Sequence, residues 1–393
     1  MAGALAGLRV LDLSEGVAGP YCTKLLANFG AEVIKIEKPG KGDWSRHRGP
    51  FYHDEPGLEK SLLYAYLNTS KRSITLDLAS DAGREPFRRL CDTSNVVVLS
   101  DPLTRLDELA GGTRELLRHA NPSLVVTAVP FFDGAGPYAD FKATELTLYA
   151  LSGLLSMASG DEEGRRLKAG GYQAQYMAGI QSCAMTLFGA YKARKTGEGG
   201  FIETSLLESC SRVLSSMQDY VPGRSNVRGP MIQEGAAWQA SDGFITIMLY
   251  YYQMETLGKL IGAPGLARDP SIGTEVNLSR SRHLWGPPLE TWLKTKTAAE
   301  AQQEGQDKHL LFTKVSNTKD VVESEHLNAR EFFHEVDHPL MGHAKYAGGP
   351  FQLTGADRSS SKPAPALGEA NDLVLGEWLG LSADARARAS GLN

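Results

Sequence analysis

The segment from Leu8 to Leu78 constrains the fold more than any other part of the chain. It opens with LRVLDLSEGVAGPYCTKLLANFGAEVIKIEKPGKGDWSRHRGP and closes with LNTSKRSITLDL. Two apolar runs, Val10–Leu13 and Glu32–Ile36, flank the helix-like run Pro20–Asn28, and each apolar run is followed by a loop marked by glycine or proline. This alternation predicts a βαβ unit whose polar loops lie at the carboxyl ends of parallel strands, where α/β sheets bind ligands.

Positively charged side chains gather in the loops of this unit. They are Lys38, Lys41 and Arg46 after the second strand, and Lys71 and Arg72, which follow Asn68, before the next strand. The chain as a whole has a formal net charge of −5, so a local cluster of cations suits a phosphorylated ligand. A solvated basic surface explains the same charges equally well.

Composition indicates a soluble globular protein. With 393 residues, 42% hydrophobic and 22% charged, the chain is expected to form two domains, or one large domain with an insertion. The sequence contains no apolar run of membrane-spanning length and no basic region before an apolar core at its start, so we expect a cytoplasmic location and no membrane partner. Its net negative charge argues against nucleic acid as a partner.

Neither the cysteines nor the histidines predict a metal site. The four cysteines lie far apart and are expected to be reduced and mostly buried. His334, His338 and His343 are spaced by residues that include Pro339 and Gly342, which would break a helix that aligned them.

The alternation of strands and helices continues to about residue 205. Predicted helices are Gly83–Leu90, Leu106–Ala120, Ala143–Met157 (buried) and Ala174–Lys195, and predicted strands are Asn95–Leu99, Leu124–Pro130 and Phe201–Ser205. The pattern predicts a doubly wound, Rossmann-like α/β domain over residues 1–217.

Residues 218–315 have a different pattern. Hairpin-like strands at Trp238–Ala240 and Phe244–Tyr250 precede amphipathic helices, which predicts a smaller α+β domain. Residues 316–393 are expected to return to the large domain, with a final helix at Asn371–Leu379.

Six stretches of the sequence resemble one known family. They are VAGPYCTKLLANFGAEVIKIEKPGKGD with NTSKRSITLDL, GPYADFKATELTLYALSGLLSMASG, KTGEGGFIETSLLES, HLNAREFFHEVDHPLMGHAKYAGGPFQLTG, and APALGEANDLVLGEWLGLS. In this order they resemble the class III CoA-transferases (the CaiB/BaiF family), which include formyl-CoA transferase, carnitine CoA-transferase and α-methylacyl-CoA racemase. The resemblance implies acyl-CoA and carboxylic acid substrates. It also implies an interlocked dimer of ring-like subunits, formed with a second copy or with a homologous partner.

The residue at the position of the family's nucleophile departs from the family pattern. Members of the family use an aspartate, in a context like GxxxADxxxG at a helix start, to attack the thioester and form a mixed anhydride and then an aspartyl-CoA thioester. The matching run here is GGYQAQYMAG, and the equivalent position is Gln175, whose amide cannot form the anhydride.

Three interpretations of Gln175 remain open. In the first interpretation, the alignment with the family's aspartate is shifted by a few residues, although the nearest acids, Asp161 to Glu163, lie upstream in a predicted loop. Alternatively, this chain is one subunit of a heteromer, as the resemblance to benzylsuccinate CoA-transferase implies, and a homologous partner carries the aspartate. Finally, the chain alone performs altered chemistry on an acyl-CoA, such as isomerase, lyase or racemase-like action. The heteromer is favoured, and a non-catalytic CoA-binding subunit is its non-enzyme counterpart.

Glu145 is the second candidate catalytic residue. The racemase branch carries a His-Asp pair where this chain has Thr144 and Glu145, so one half of a two-base mechanism is missing and racemase activity is disfavoured. The spacing of Lys142 and Glu145 is similar to that in the transferase branch. A helix-start carboxylate favoured by the helix dipole is the plain structural alternative.

The resemblance also implies a set of CoA-binding residues. Val17 and Ala18 correspond to the contact with the pantetheine arm, and Lys38 to a cation beside the adenosine phosphates. The remaining predicted members are Arg46, Asn68, Lys71, Arg72, Arg105 and Lys142. The family's loop like ENFRPGxxxRLGL is reduced here to LSDPLTRL, so only Arg105 of that loop keeps its place.

Overall fold

The computed structural model describes residues 3–110, 120–157, 165–212, 237–273, 278, 281–349, 353–354 and 362–391. The chain forms two compact units, of which the first is Met1–Gln218 with Glu331–Asn393 and the second is Asp219–Arg330. The predicted domain boundary at 217/218 lies outside the described residues. The second unit reaches Arg330, whereas the sequence pattern placed its end at residue 315.

A six-stranded sheet forms the centre of the first unit. Its strands are β1 (Arg9–Asp12), β2 (Glu32–Glu37), β3 (Arg72–Thr75), β4 (Val96–Leu99), β5 (Val125–Ala128) and β6 (Gly200–Glu203). They are ordered β3-β2-β1-β4-β5-β6, and all neighbours are parallel. The order reverses at β1, which has β2 on one side and β4 on the other. The predicted doubly wound α/β fold is therefore confirmed, and the crevice at β1 and β4 is the expected ligand position.

Helices cover both faces of this sheet. They are α1 (Ala18–Asn28), α2 (Leu62–Leu67), α3 (Asp81–Asp92), α4 (Leu103–Ala110), α5 (Glu145–Leu151), α6 (Leu154–Met157), α7 (Gln173–Thr196) and α8 (Leu206–Arg212). The predicted helix Leu106–Ala120 corresponds to α4 for the residues it shares, and residues 111–119 lie outside the described part.

The prediction of one buried helix over Ala143–Met157 is wrong. The chain forms two short helices, α5 and α6, because Gly153 adopts a left-handed conformation with φ of 86°. Leu146 and Leu151 are 51% and 46% exposed, so the outer face of α5 is not buried in this chain.

The second unit contains an antiparallel sheet and several helices. Its strands β7 (Ala237–Gln239), β8 (Phe244–Met248) and β9 (Leu311–Lys314) pair in that order. The helices are α9 (Met254–Leu260), α10 (Arg282–Leu293), α11 (Ala298–Gln306), α12 (Thr318–Val322) and α13 (Glu325–Ala329). The predicted hairpin and the helices after it are present.

The carboxyl-terminal segment belongs to the first unit. It forms the hairpin β10 (Phe333–His338) and β11 (Gly342–Ala347), a π-helix at Asp372–Trp378, and α14 (Ala383–Ala389). The segment Asn371–Leu379 is therefore not the final helix. Its Val374 and Leu375 are buried in the same apolar cluster as α3, which fixes the segment to the sheet.

Alternate residues of the strands point to opposite faces and build two apolar layers. Val10 and Val33 pack with α1 and α7, whereas Leu11 and Ile34 pack with α3 and the carboxyl-terminal segment. A Cβ on Gly179 of α7 would stand 2.6 Å from the carbonyl oxygen of Ala18. The first turn of α1 and the first part of α7 can thus approach closely because residue 179 has no side chain. In the described parts of the chain, no helix is long and apolar enough to cross a membrane.

Replacing Gly179 with alanine should destabilise the first unit by about 2 kcal/mol, because the new methyl group overlaps a backbone oxygen that cannot move alone. The gain in helix propensity, roughly 0.5–1 kcal/mol, does not offset this clash. Urea unfolding measures the effect. The matched control is Gly200→Ala in β6, where nothing lies within 4 Å of the added Cβ. Equal stability of the two variants would contradict the close approach of α1 and α7.

Candidate functional site

A pocket lies at the carboxyl ends of the central strands of the first unit. It has a volume of about 410 Å³. Its lining includes Glu15 beyond β1, Lys38 beyond β2, Leu76 beyond β3 and Asp101 beyond β4. The pocket therefore occupies the edge of the sheet at which doubly wound proteins bind ligands.

Three exposed cationic side chains line this pocket, in addition to the buried Lys35. Lys38 donates to the Glu15 carboxylate over 2.7 Å and keeps 66% of its side chain exposed, while Lys41 and Arg105 are exposed at the pocket as well. Arg105 also pairs with Glu108 of α4. Of the cations predicted to bind CoA, Lys38 and Arg105 are the two placed at this pocket.

Arg46 is buried instead of facing a ligand. Its residue is 0% exposed, and its guanidinium donates to both oxygens of Glu37, at 2.8 and 2.9 Å, and to the Tyr64 hydroxyl at 2.6 Å. Burial by itself raises the pKa of Glu37, but the hydrogen bonds and charge of Arg46 outweigh it and lower that pKa. The structure thus corrects the prediction of a phosphate contact, because this arginine is committed to an internal ion pair.

Lys71 and Asn68 are also internal. The Lys71 ammonium group donates to the Asp12 carboxylate over 2.9 Å and to the Asn68 side-chain oxygen over 2.8 Å, and both Lys71 and Asn68 are buried. They stabilise the loop before β3. The predicted contact of these two residues with CoA is corrected for the same reason as that of Arg46.

Arg72 lies at the opposite edge of the sheet. It is the first residue of β3, its Nε is 3.8 Å from a Glu32 carboxylate oxygen at the start of β2, and its guanidinium carbon is 5.9 Å from the centroid of the Trp378 ring. It therefore cannot contribute to a pocket at the carboxyl ends of the strands. Lys142 is exposed ahead of α5 and does not line this pocket.

The floor of the pocket is a buried network of charges. Lys35 of β2 lies between two carboxylates, with its Nζ 2.7 Å from Asp43 and 3.8 Å from Asp12, and all three side chains are 0% exposed. Burial by itself raises the pKa of Asp12, but Lys35 and Lys71 outweigh burial and hold that pKa well below its usual range. For Lys35, burial lowers the pKa, but Asp12 and Asp43 raise it above its usual value.

This network joins the loops that follow β1 and β2. Asp43 accepts hydrogen bonds from the backbone N–H of Gly16, over 3.0 Å, and from that of Ser45, over 2.6 Å. Because Asp43 also binds Lys35, the position of both loops depends on one buried ion pair.

The two loops bring aromatic rings toward the start of α7. Gly16 has φ of 83°, and a Cβ there would lie 3.4 Å from the Trp44 ring. The Trp44 ring is 6.4 Å, centroid to centroid, from the ring of Tyr172, the residue before α7. Val17, the residue before α1, and Ala18, its first residue, are predicted beside the pantetheine arm; they follow Gly16 and have buried side chains. A continuous set of contacts thus joins the pocket edge to the first turn of α7.

Gln175 and Glu145 meet at that first turn. The Gln175 amide nitrogen donates to Glu145 Oε2 over 3.2 Å, and the Ala174 backbone N–H donates to Glu145 Oε1 over 2.7 Å. Glu145 is 6% and Gln175 8% exposed. Glu145 is itself the first residue of α5, and its carboxylate also satisfies a donor at the start of α7. The helix-start alternative for Glu145 therefore describes part of what this side chain does.

Lys24 is a buried cation on α1. It is 1% exposed, its Nζ donates to the Thr69 hydroxyl over 2.6 Å, and it lies 4.7 Å from the centroid of the Tyr66 ring. Burial lowers the pKa of Lys24 to about 7, and the positive charge of Lys71 adds to that shift.

Several of these residues were not anticipated from the sequence. Lys35 interrupts the apolar centre of the strand EVIKIE, and Asp12 ends the strand RVLD directly after two apolar residues, so both positions were an available signal for a buried ion pair. Trp44 and Tyr172 carry no local signal, because their contact depends on how distant loops pack. All four cysteines are free and buried, as expected for three of them. The described residues contain no group of three or more potential ligands arranged to hold a metal ion.

Comparison with known proteins shows which family and which solved structures the chain is similar to. Residues 5–371 match the family model described as CoA-transferase family III. The chain is 31% identical to a formyl-CoA:oxalate CoA-transferase of Rhodopseudomonas palustris (strain TIE-1), covering 97% of this chain and 95% of the relative. It is 28% identical to succinyl-CoA:(R)-benzylsuccinate CoA-transferase subunit BbsE of Thauera aromatica, covering 94% and 93%. Among solved structures, a CAIB/BAIF family protein from Brucella suis superposes with a TM-score of 0.83 at 26% identity, covering 96% of this chain and all of that one.

The Lys24→Met variant should be more stable than the parent protein at pH 7, by about 3 kcal/mol. The pKa of Lys24 falls from 10.5 to about 7 on folding. Between these values the unfolded chain binds a proton that the folded chain lacks, so this lysine lowers stability progressively as pH falls from 10 to 7. The advantage of the variant should therefore shrink toward pH 10.

Urea unfolding between pH 6 and pH 10 measures this difference, with Lys195→Met, an exposed lysine of α7, as the control. Lys71 also contributes to the pH dependence of stability, because burial lowers its pKa to about 8 against the opposing effect of Asp12. This contribution remains in the Lys24→Met variant. A Lys24→Met protein that is less stable than the parent at every pH would contradict the burial of an uncompensated cation.

Proposed function

Because the chain belongs to CoA-transferase family III, we propose that it binds an acyl-CoA thioester as one subunit of a heteromeric CoA-transferase. In that enzyme the homologous partner chain carries the nucleophilic aspartate. The observation that carries the proposal is the Gln175 amide at the start of α7, held by Glu145 where a nucleophilic carboxylate is expected. The proposed setting is the cytoplasm.

The pocket at the strand ends is proposed as the site of the 3′-phospho-ADP head of CoA. The pocket has a volume of about 410 Å³, and its positive charge comes from Lys38, Lys41 and Arg105. Arginine and lysine side chains of this kind bind phosphate by charge-assisted hydrogen bonds. We propose that these three cations bind the CoA phosphates, a function that the sequence pattern predicted for a larger set of cationic residues.

The pantetheine arm is proposed to run from this pocket past Gly16 and Trp44 toward Tyr172. The contacts between these three residues join the pocket edge to the first turn of α7. The backbone of Val17 and Ala18 lies along the same path. This route brings the thioester to Gln175.

The chemistry of exchange requires a carboxylate that this position lacks. In the partner, the aspartate carboxylate attacks the carbonyl carbon of the donor thioester. The C–S bond breaks, CoA departs as the thiolate, and a mixed anhydride of the aspartate and the donor acid remains. The thiolate then attacks the aspartyl carbonyl of the anhydride, which releases the donor acid and leaves an aspartyl-CoA thioester. The acceptor carboxylate attacks that thioester, which expels the thiolate and forms a second mixed anhydride. The thiolate then attacks the acceptor's carbonyl carbon, which gives the new acyl-CoA and frees the aspartate carboxylate. A neutral amide at position 175 cannot take the first step.

The surface of α7 supports a partner chain. Ile180, Phe188 and Tyr191 on this helix are 47%, 67% and 63% exposed, and Leu146 on neighbouring α5 is 51% exposed. A contiguous apolar surface is normally covered by another protein chain. We propose that the homologous partner, in an interlocked dimer, covers this surface. One relative, at 28% identity, is itself named as a subunit: succinyl-CoA:(R)-benzylsuccinate CoA-transferase subunit BbsE.

A second candidate is a stand-alone acyl-CoA enzyme that uses Glu145. The observation that favours it is the location of the Glu145 carboxylate, 3.2 Å from the amide that replaces the expected nucleophile. In that case a single chain would convert an acyl-CoA without any partner.

An activity assay separates the two candidates. The chain is purified alone and together with a homologous chain from the same source that keeps the aspartate, and CoA transfer is measured with succinyl-CoA or formyl-CoA as donor. The heteromer proposal requires both chains for activity. Full activity of this chain alone contradicts the heteromer and favours the second candidate.

Removing a pocket cation should weaken CoA binding. We expect Lys38→Met and Arg105→Met each to raise the dissociation constant of CoA about 5- to 10-fold, since each removes one charge-assisted contact. Isothermal titration calorimetry at low salt measures this. The control is Lys259→Met, an exposed lysine of α9 paired with Glu255. If the control weakens binding as much as the other two, the assignment of the pocket is wrong.

The Gln175→Asp variant should gain the ability to form a covalent adduct. A carboxylate at this position restores the nucleophile, so incubation with acyl-CoA should leave an aspartyl-CoA thioester that intact-protein mass spectrometry detects. The nearby Glu145 carboxylate raises the pKa of the new aspartate, so the yield should increase with pH from 5 to 8. Gln175→Asn, which has the same shape without the charge, is the control. An adduct on the Gln175→Asn variant or on the unchanged protein would assign the nucleophile elsewhere.

A further inference from the structure

We propose that Cys22 and Cys183 form a site of reversible oxidation, at which two neighbouring thiols join in a disulfide that links α1 to α7. The oxidant is a hydroperoxide, such as hydrogen peroxide. All four cysteines of the chain are free thiols in the structure. The inference does not depend on the proposed function, because it concerns the packing of two helices and not the binding of CoA.

The backbones of α1 and α7 are in contact one helical turn before the two cysteines. A Cβ on Gly179 would stand 2.6 Å from the carbonyl oxygen of Ala18. Cys22 follows Ala18 by four residues, and Cys183 follows Gly179 by four. Residues four apart lie on the same face of a helix, so both cysteines face the neighbouring helix. A disulfide requires such proximity, since its two Cα atoms are usually about 4.4–6.8 Å apart.

The two thiols interact directly inside this helix pair. Both side chains belong to one buried apolar cluster, and the Cys22 thiol donates a hydrogen bond to the Cys183 sulfur. Cys22 also interacts with the hydroxyl of Thr186, which lies on the next turn of α7 and donates to the Ser182 carbonyl oxygen over 2.7 Å. The sulfur atoms that a disulfide would join are therefore already neighbours.

The two thiols differ in exposure and in acidity. Cys183 is 9% exposed and Cys22 is 0% exposed, so a small oxidant reaches Cys183 first. The hydrogen bond from Cys22 lowers the pKa of Cys183 against the opposing effect of burial. The same hydrogen bond, together with burial, raises the pKa of Cys22. Because the thiolate is the form that reacts with peroxide, Cys183 reacts first and Cys22 second.

The reaction has two steps. The Cys183 thiol loses its proton, and its sulfur attacks one oxygen of hydrogen peroxide. The O–O bond breaks, the departing hydroxide takes up the proton as water, and Cys183 becomes a sulfenic acid. The Cys22 sulfur then attacks the Cys183 sulfur, the S–O bond breaks, and a second water leaves with the Cys22 proton. Two thiols and one peroxide thus give one disulfide and two waters, and a dithiol reverses the reaction by exchange.

Peroxide treatment of the purified protein, in its natural assembly, tests the proposal. After treatment the protein is denatured, the remaining thiols are blocked with N-ethylmaleimide, and its peptides are analysed by mass spectrometry. We expect one pair of peptides joined through Cys22 and Cys183, while Cys91 and Cys210 are found blocked. Dithiothreitol added before blocking should restore all four thiols.

Stability provides a second readout. The disulfide closes a long loop between residues 22 and 183 and so restricts the unfolded chain. The oxidised protein should therefore unfold at a higher urea concentration than the reduced protein. An oxidised protein that unfolds at a lower concentration would show that the bond strains the helix pair, which contradicts the proximity on which the inference rests.

Serine variants separate the roles of the two thiols. Cys22→Ser keeps a hydrogen-bond donor beside Cys183 but has no second thiol, so oxidation should stop at a sulfenic acid on Cys183, which dimedone captures. In Cys183→Ser, the buried Cys22 thiol should remain unmodified. Cys91→Ser, at a buried cysteine of α3, is the matched control and should form the same disulfide as the unchanged protein.

The result for the unchanged protein decides the inference without any variant. If Cys22 and Cys183 are both found blocked after peroxide treatment, or if the disulfide includes Cys91 or Cys210, the inference is overturned. A sulfenic acid on Cys22 in the Cys183→Ser variant contradicts the order of the two steps. None of these results changes the proposed function, which is tested by CoA transfer and CoA binding.

Discussion

One buried ion pair determines where the candidate site can form. Lys35 of β2 lies 2.7 Å from Asp43, and Asp43 in turn holds the backbone of Gly16 in the neighbouring loop. Both charges are removed from water, so losing either partner would leave an uncompensated buried charge, at a cost of about 3–5 kcal/mol. The two loops that line the pocket therefore have one relative position. The preorganised shape of the pocket follows from this constraint, and so does the placement of Trp44 against Gly16.

At the start of α7, the Gln175 amide lies where the proposed function expects the family's nucleophilic carboxylate. Gln175 occupies a position where a carboxylate would lie about 3 Å from Glu145, and two such carboxylates would repel each other. The amide replaces that repulsion with a hydrogen bond of 3.2 Å. The Gln175 amide and the Glu145 carboxylate thus satisfy each other electrostatically, and under the proposed function the amide does not act as a nucleophile. Under the proposed function, the pocket at the strand ends binds CoA, while the first turn of α7 holds the thioester and the partner chain cleaves it.

Much of the fold follows from local pattern, whereas much of the site does not. The sequence predicted the parallel sheet because each buried strand appears as a short apolar run and a helical segment separates it from the next. The sequence did not predict which cationic residues line the pocket, because a charged residue in a loop can be either buried or exposed. Arg46 pairs with Glu37 inside the protein, and Arg72 begins its strand and so lies at the wrong edge. The contact between Glu145 and Gln175 joins residues of two helices, and only tertiary packing brings them together.

The central claim is that CoA extends from the pocket beside Lys38 and Arg105 to the start of α7. A crystal structure of the natural assembly with a non-hydrolysable acyl-CoA thioether tests it most directly. The account predicts the 3′-phospho-ADP head against those two cations and the sulfur within about 4 Å of the Gln175 side chain, which is van der Waals contact. Density for the nucleotide at another edge of the sheet, or a sulfur remote from α7, would contradict it.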